Sequence, residues 1–123
     1  MTNPVFHFEI AVTDLDRAVA FYQEVFGLEL RRETVDGYEM AFFPREDDQP
    51  GCSGALAHGD TYKPSHDGSL IYFDVEDIDL TLTRAKQQNG QVLYEKTDLG
   101  EVGYVAEIED SEGNRVGLTQ GPD

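Results

Sequence analysis

Cysteine occurs once in this sequence, at Cys52, which excludes an internal disulfide framework and makes a reducing, cytoplasmic setting the expectation. Cys52 has glycines on both sides, Gly51 and Gly54, and no adjacent cation to lower its pKa, so it reads as an inert thiol. Basic residues are scarce: 9 Lys and Arg stand against 25 Asp and Glu, for a net charge of −16. Such a surface repels nucleic-acid phosphates and anionic membranes, and neither is an expected partner. The acidic residues are scattered rather than blocked. The few cations, among them Arg31, Arg32, Arg45, Lys63, Lys96 and Arg115, leave room for an anionic ligand if they gather locally. No apolar run approaches the ~18 residues of a membrane span. The N-terminus lacks a basic-then-apolar secretory pattern.

What remains is one domain's worth of chain, 123 residues with 39% hydrophobic content. Phe6, Phe8, Ile10 and Val12 alternate with His7, Glu9 and Ala11, the period of a strand with two unlike faces. The apolar face should meet a helix and the other a cavity. Thr13 or Asp14 can cap the helix that follows. Leu15, Ala18, Val19, Tyr22 and Phe26 form its apolar stripe, and Gly27 its stop. Strands are predicted over 28–35 and 38–43, joined at Asp36-Gly37, a pair suited to a tight hairpin. A polar loop spans 44–51, and a small-residued strand 53–58. Residues 59–68 have turn chemistry throughout and read as a linker. Then come a strand over 70–75, a helix from Glu76-Asp77 to a stop at Gly90, and strands over 92–96, 103–109 and 115–120.

Shifted by 63 residues, the chain lies on itself. Val12 falls on Val75, Asp14 on Asp77, Leu15 on Ile78, Gly27 on Gly90 and Gly37 on Gly100. These are caps, stops and turns, the positions that set geometry. The prediction is α+β: two βαβββ repeats, about 4–58 and 69–120, forming one curved eight-stranded mixed sheet around a concave cavity, helices outside.

That pattern, with VTDLDRAVAFYQEVFGL early and EDSEGNRVGL late, resembles the vicinal oxygen chelate superfamily, the group of glyoxalase I, extradiol dioxygenases and the fosfomycin- and bleomycin-resistance proteins. It looks closest to small proteins described as enzymes related to lactoylglutathione lyase. The resemblance implies a homodimer, a small-molecule ligand and, in metal-binding members, a divalent cation held by the first and last strands of each repeat. His7 stands at the first ligand position. Its mate in the second repeat is Leu70, the carboxylate of the last strand is replaced by Gly117, and the remaining position falls within Ala55, Leu56 and Ala57. One donor of four is left, whereas such a metal needs three or more. The expectation is no cofactor, with Glu9, Glu107, His58 and His66 the donors of any relocated site.

Without a metal, His7 and Glu9 carry what chemistry the repeat offers. Side chains two apart on a strand lie about 6–7 Å apart at Cβ and can share a ligand or a proton. They read either as a general acid/base pair or as a satisfied polar pair lining a wet cavity. Tyr72 and Asp74 should take the same face in the second repeat, with Glu107 a further ligand-binding candidate. Tyr38, Phe42, Tyr62 and Tyr104 are aromatics that could flank a ligand. Three functions remain open at this point: a binding protein of bleomycin-resistance type, a metal-independent lyase or isomerase, and an interaction module with a vestigial pocket.

Overall fold

A computed structural model describes residues 3–123. Each repeat builds its own mixed four-stranded sheet. In the first, β1 (His7–Val12) pairs in parallel with β4 (Ser53–His58), followed by β3 (Tyr38–Phe42) and β2 (Arg31–Val35). In the second, β5 (Tyr72–Asp74) pairs in parallel with β8 (Arg115–Gln120), then β7 (Tyr104–Glu109) and β6 (Gln91–Asp98). Helices α1 (Leu15–Phe26) and α2 (Ile78–Gln87) pack on their own sheets and on each other.

Local chemistry accounts for most boundaries. Asp14 and Asp77 adopt extended backbone before their helices and accept from the N–H groups of Arg17 and Leu80. Gly27 closes α1 in the left-handed region at φ 65°. Asp36 and Gly37 both have positive φ, as the tight hairpin between β2 and β3 requires. The second helix departs from expectation. It ends at Gln87, and Asn89, not Gly90, takes the left-handed turn at φ 68°. Gly90 answers a different need: a Cβ there would stand 2.8 Å from the Glu109 carbonyl and 3.0 Å from the Phe21 ring.

The single eight-stranded sheet is corrected to two four-stranded ones, with no ladder between β1 and β5. The free edge of β1 is taken instead by the second repeat's β7–β8 turn and by the linker. Asn114 donates from its side chain to the Ala11 carbonyl at 2.7 Å and accepts from Ser65 N–H at 3.1 Å. The strand expected over 70–75 shrinks to Tyr72–Asp74, held on its other edge by β8.

The halves are joined through side chains rather than strands. Phe73 of β5 stacks on Phe26 of α1 at 4.6 Å between ring centroids and meets Phe8 and Phe43 near edge-on. Each such aromatic pair contributes roughly 0.5–1.5 kcal/mol beyond its buried area. One buried core therefore draws on Ile10, Val12, Tyr22 and Leu56 from the first repeat and on Ile78, Ile108 and Leu118 from the second. Helix α1 is buried beyond its expected stripe, at Phe21 and Val25, because it lies against both its sheet and α2.

Candidate functional site on the open face of the first sheet

Alternation along β1 sends Ile10 and Val12 into the core and His7 and Glu9 to the opposite, open face of the sheet. Behind them on β4, Leu56 enters the core while Ala55 and Ala57 form a floor with Met40 of β3. Small residues there let Tyr38, Phe42 and Tyr62 lie across that floor. Tyr62 comes from the linker, where nothing periodic in the sequence forecasts its path, and its ring meets Tyr38 nearly edge-on at 5.6 Å.

Three polar groups meet on this face. Tyr62 donates to Glu9 Oε1 at 2.6 Å, and His7 Nε2 lies 3.3 Å from Glu9 Oε2. The hydrogen bond to Glu9, first among its causes, pushes the Tyr62 phenol up to about 12. Phe42 lies between two other groups: the His7 ring is 6.2 Å from its centroid, and the Arg31 guanidinium sits 5.0 Å over it. This geometry offers a fixed carboxylate, an imidazole with one nitrogen turned to it, and an aromatic wall.

The second-repeat candidates have other immediate partners, although Arg115, which holds Glu107, lines a small pocket with Glu9. Tyr72 and Asp74 line an apolar cleft of about 490 Å³ between the repeats, with Val5, Phe8, Leu28 and Leu70. Glu107 is bound by Arg115, whose Nε and Nη2 donate to its two oxygens at 2.6 and 3.1 Å and hold its carboxyl below the ordinary value. Tyr104 donates to Asp123 at 2.7 Å under Lys96 and is not part of the His7 face.

The positions that the resemblance matches to metal ligands carry few donor side chains. Ala55 lies directly across from Glu9, fully buried and without a donor. Leu70 is half-buried in the apolar cleft. At Gly117 the space itself is filled, since a Cβ there would stand 2.6 Å from the Tyr72 ring. His58 lies 4.0 Å from Glu39 and His66 3.6 Å from Glu109, each apart from His7. Among the described residues no three His, Cys, Asp or Glu side chains gather as a metal site would need.

The motifs that carry the resemblance bond to one another. Glu112 of the β7–β8 turn accepts from the N–H groups of Thr13 and Asp14 at 2.9 and 2.8 Å and from Arg17 Nε at 2.7 Å. Burial alone would raise this carboxyl, but the hydrogen bonds from Arg17, Asp14, Ser111 and Thr13 together bring it down to about 2.

Comparison with known proteins agrees with this architecture. The family model of the Glyoxalase/Bleomycin resistance protein/Dioxygenase superfamily matches residues 5–118. A lactoylglutathione lyase of Haemophilus influenzae is 29% identical over 119 residues, covering 91% of this chain and 88% of that protein. Among solved structures, a glyoxalase family protein from Bacillus cereus superposes with a TM-score of 0.75 at 21% identity, covering 97% of this chain and 94% of that one. A glyoxalase I variant from Zea mays gives 0.74 at 23% identity over 96% of this chain, which spans only 45% of the maize protein. The fosfomycin resistance protein FosX of Listeria monocytogenes gives 0.70 at 21%, over 98% and 93% of the two chains. Among the described residues no helix is long and apolar enough to cross a membrane. With a two-repeat fold, interlocked motifs and a family model spanning nearly its whole length, the chain belongs to the glyoxalase/bleomycin resistance protein/dioxygenase superfamily.

Proposed function

We propose that this protein binds a small polar molecule on the open face of its first sheet, and does so without the divalent metal of metal-binding relatives. The carrying observation is the hydrogen-bonded set His7, Glu9 and Tyr62 over the Ala55–Ala57 floor. Glu9 is fixed through both oxygens, so His7 is oriented before a ligand arrives and less ordering is left for the binding step. The donor-poor positions Ala55, Leu70 and Gly117 support the metal-free part of the reading. The scarcity of cations argues against nucleic-acid and membrane partners. The resemblance favours a homodimer, and the lone, exposed Cys52 suits a reducing cytoplasm.

A second reading has one observation in its favour. His7 Nε2 is turned to the Glu9 carboxylate, which leaves Nδ1 for a ligand and suits a metal-independent lyase or isomerase. In that case His7 takes a proton from the bound substrate and returns it at a neighbouring atom, with Glu9 stabilising the charged imidazole.

The test is a thermal-shift survey of small polar metabolites on metal-stripped protein, with and without His7→Ala. The likeness to a lactoylglutathione lyase makes S-lactoylglutathione the first compound to try. A ligand at 100 times its dissociation constant adds about 2.7 kcal/mol of stability. A shift lost in His7→Ala supports binding at this face, and a shift kept in His7→Ala, with no turnover by either protein, contradicts it. Turnover abolished by His7→Ala with affinity kept selects the isomerase reading.

A further inference from the structure

We infer that the ligand of this face is an oxyanion, a small molecule bearing a carboxylate or phosphate, held by Arg31 and Arg45 beside His7. The inference rests on the binding reading above and gives it a substrate class. In a chain of net charge −16, a cleft of about 610 Å³ opens at the His7 end of the face. Its charged lining is Arg31, Arg45, Glu29 and His7, so cations outnumber anions there even with the imidazole neutral.

Both guanidinia are mounted in the same way. Arg31 sits 5.0 Å over the Phe42 ring, and Arg45 4.8 Å over the Phe6 ring. A guanidinium held over an aromatic ring still has N–H groups with which to fork onto two oxygens of a carboxylate or phosphate. Several cations elsewhere are engaged. Arg17 is bound to the buried side chain of Glu112, Arg115 to both oxygens of Glu107, and Lys96 to Asp79 and the Tyr104 ring. Arg31 and Arg45 have only exposed partners close in sequence, Glu33 and Asp47. Exposed pairs of that kind hold weakly and exchange readily for a bound anion. The two rings and two arginines therefore make a mouth for an anionic group, next to the imidazole that would face the rest of the ligand.

The experiment follows the His7 and Phe42 resonances of the full chain by NMR during titration with inorganic phosphate, with lactate and with lactamide, the neutral analogue of lactate. The expected result is saturable perturbation by phosphate and lactate, little by lactamide, and binding that weakens with added salt. Arg31→Gln or Arg45→Gln should weaken the anions about tenfold, the loss of one charge-assisted contact. Arg32→Gln should not, since Arg32 turns to Asp16 of α1 and does not line the cleft. Tighter lactate than phosphate assigns a carboxylate, and the reverse assigns a phosphate. Lactamide binding as well as lactate, unaffected by the arginine changes, overturns the anion inference and leaves the binding reading standing. Anions that perturb the Arg115 region instead, or perturb neither His7 nor Phe42, overturn it as well.

Discussion

The Tyr22 hydroxyl donates to Asp110 Oδ2 at 2.6 Å, joining residues 88 positions apart inside the core. Asp110 is itself 3% exposed and also accepts from the Asn114 side chain and from the backbone of Glu112 and Asn114. The bond thus ties the first helix to the turn of the last hairpin. It places the two motifs that carry the family resemblance in one structural lock.

Tyr22→Phe removes a donor from a buried carboxylate and leaves its other partners in place. It should cost about 1–2 kcal/mol. Urea unfolding should show a lower midpoint at unchanged slope, because the surface exposed on unfolding stays the same.

Glu112 makes the same lock sensitive to acid. Its folded pKa, about 2, lies below its ordinary value of 4.5, so its contribution is complete above the ordinary value and is lost as pH falls toward 2. The side chain is fully covered, but its Arg17 partner is half exposed, which reduces the full linkage value to roughly 2 kcal/mol. Glu112→Gln should therefore destabilise by that amount at neutral pH and by progressively less below 4.5. Unfolding curves for both proteins across that range check it. A constant difference would contradict the account.

These locks explain why the fold was legible and the site was not. Asp14, Asp77, Gly27 and Asp36-Gly37 act through their own neighbours in the chain, so their roles follow from residue type and spacing. Phe73 and Tyr62 act across the fold. Nothing in YFDV says that Phe73 will stack on Phe26, and nothing in GDTYKPS says that Tyr62 will reach Glu9. The same limit explains the division into two sheets: Asn114, 103 positions from Ala11, bonds to the β1 edge that a ladder would have needed. Alternation alone places His7 and Glu9 on one face, whereas the cleft that Tyr72 and Asp74 line depends on how the repeats dock.

Gly117 and Tyr72 should prove to be coupled. Gly117→Glu restores a carboxylate at the last-strand position but drives its Cβ into the Tyr72 ring. Overpacking of this kind costs about 1–3 kcal/mol. Adding Tyr72→Ala should recover much of the loss, and a double-mutant cycle on unfolding free energies measures the recovery. Simple additivity would mean that the ring does not occupy the ligand position.

Tyr62 should titrate late. Its phenol is raised to about 12 chiefly by the hydrogen bond to Glu9, so it stays neutral through the range in which an ordinary tyrosine near 10 ionises. Glu9→Gln should bring one phenol back toward the ordinary value in a spectrophotometric titration. Because the folded pKa is raised, whatever stability this bond contributes is present below pH 10 and is lost as pH rises toward 12.

Whether the His7 face holds a metal is decided by titrating metal-stripped protein, wild type and His7→Ala, with nickel, zinc, manganese and iron. The expected result is no stoichiometric binding of any of them and the same weak, non-saturating behaviour in the variant. One equivalent of metal, bound with an affinity that His7→Ala destroys, would contradict it.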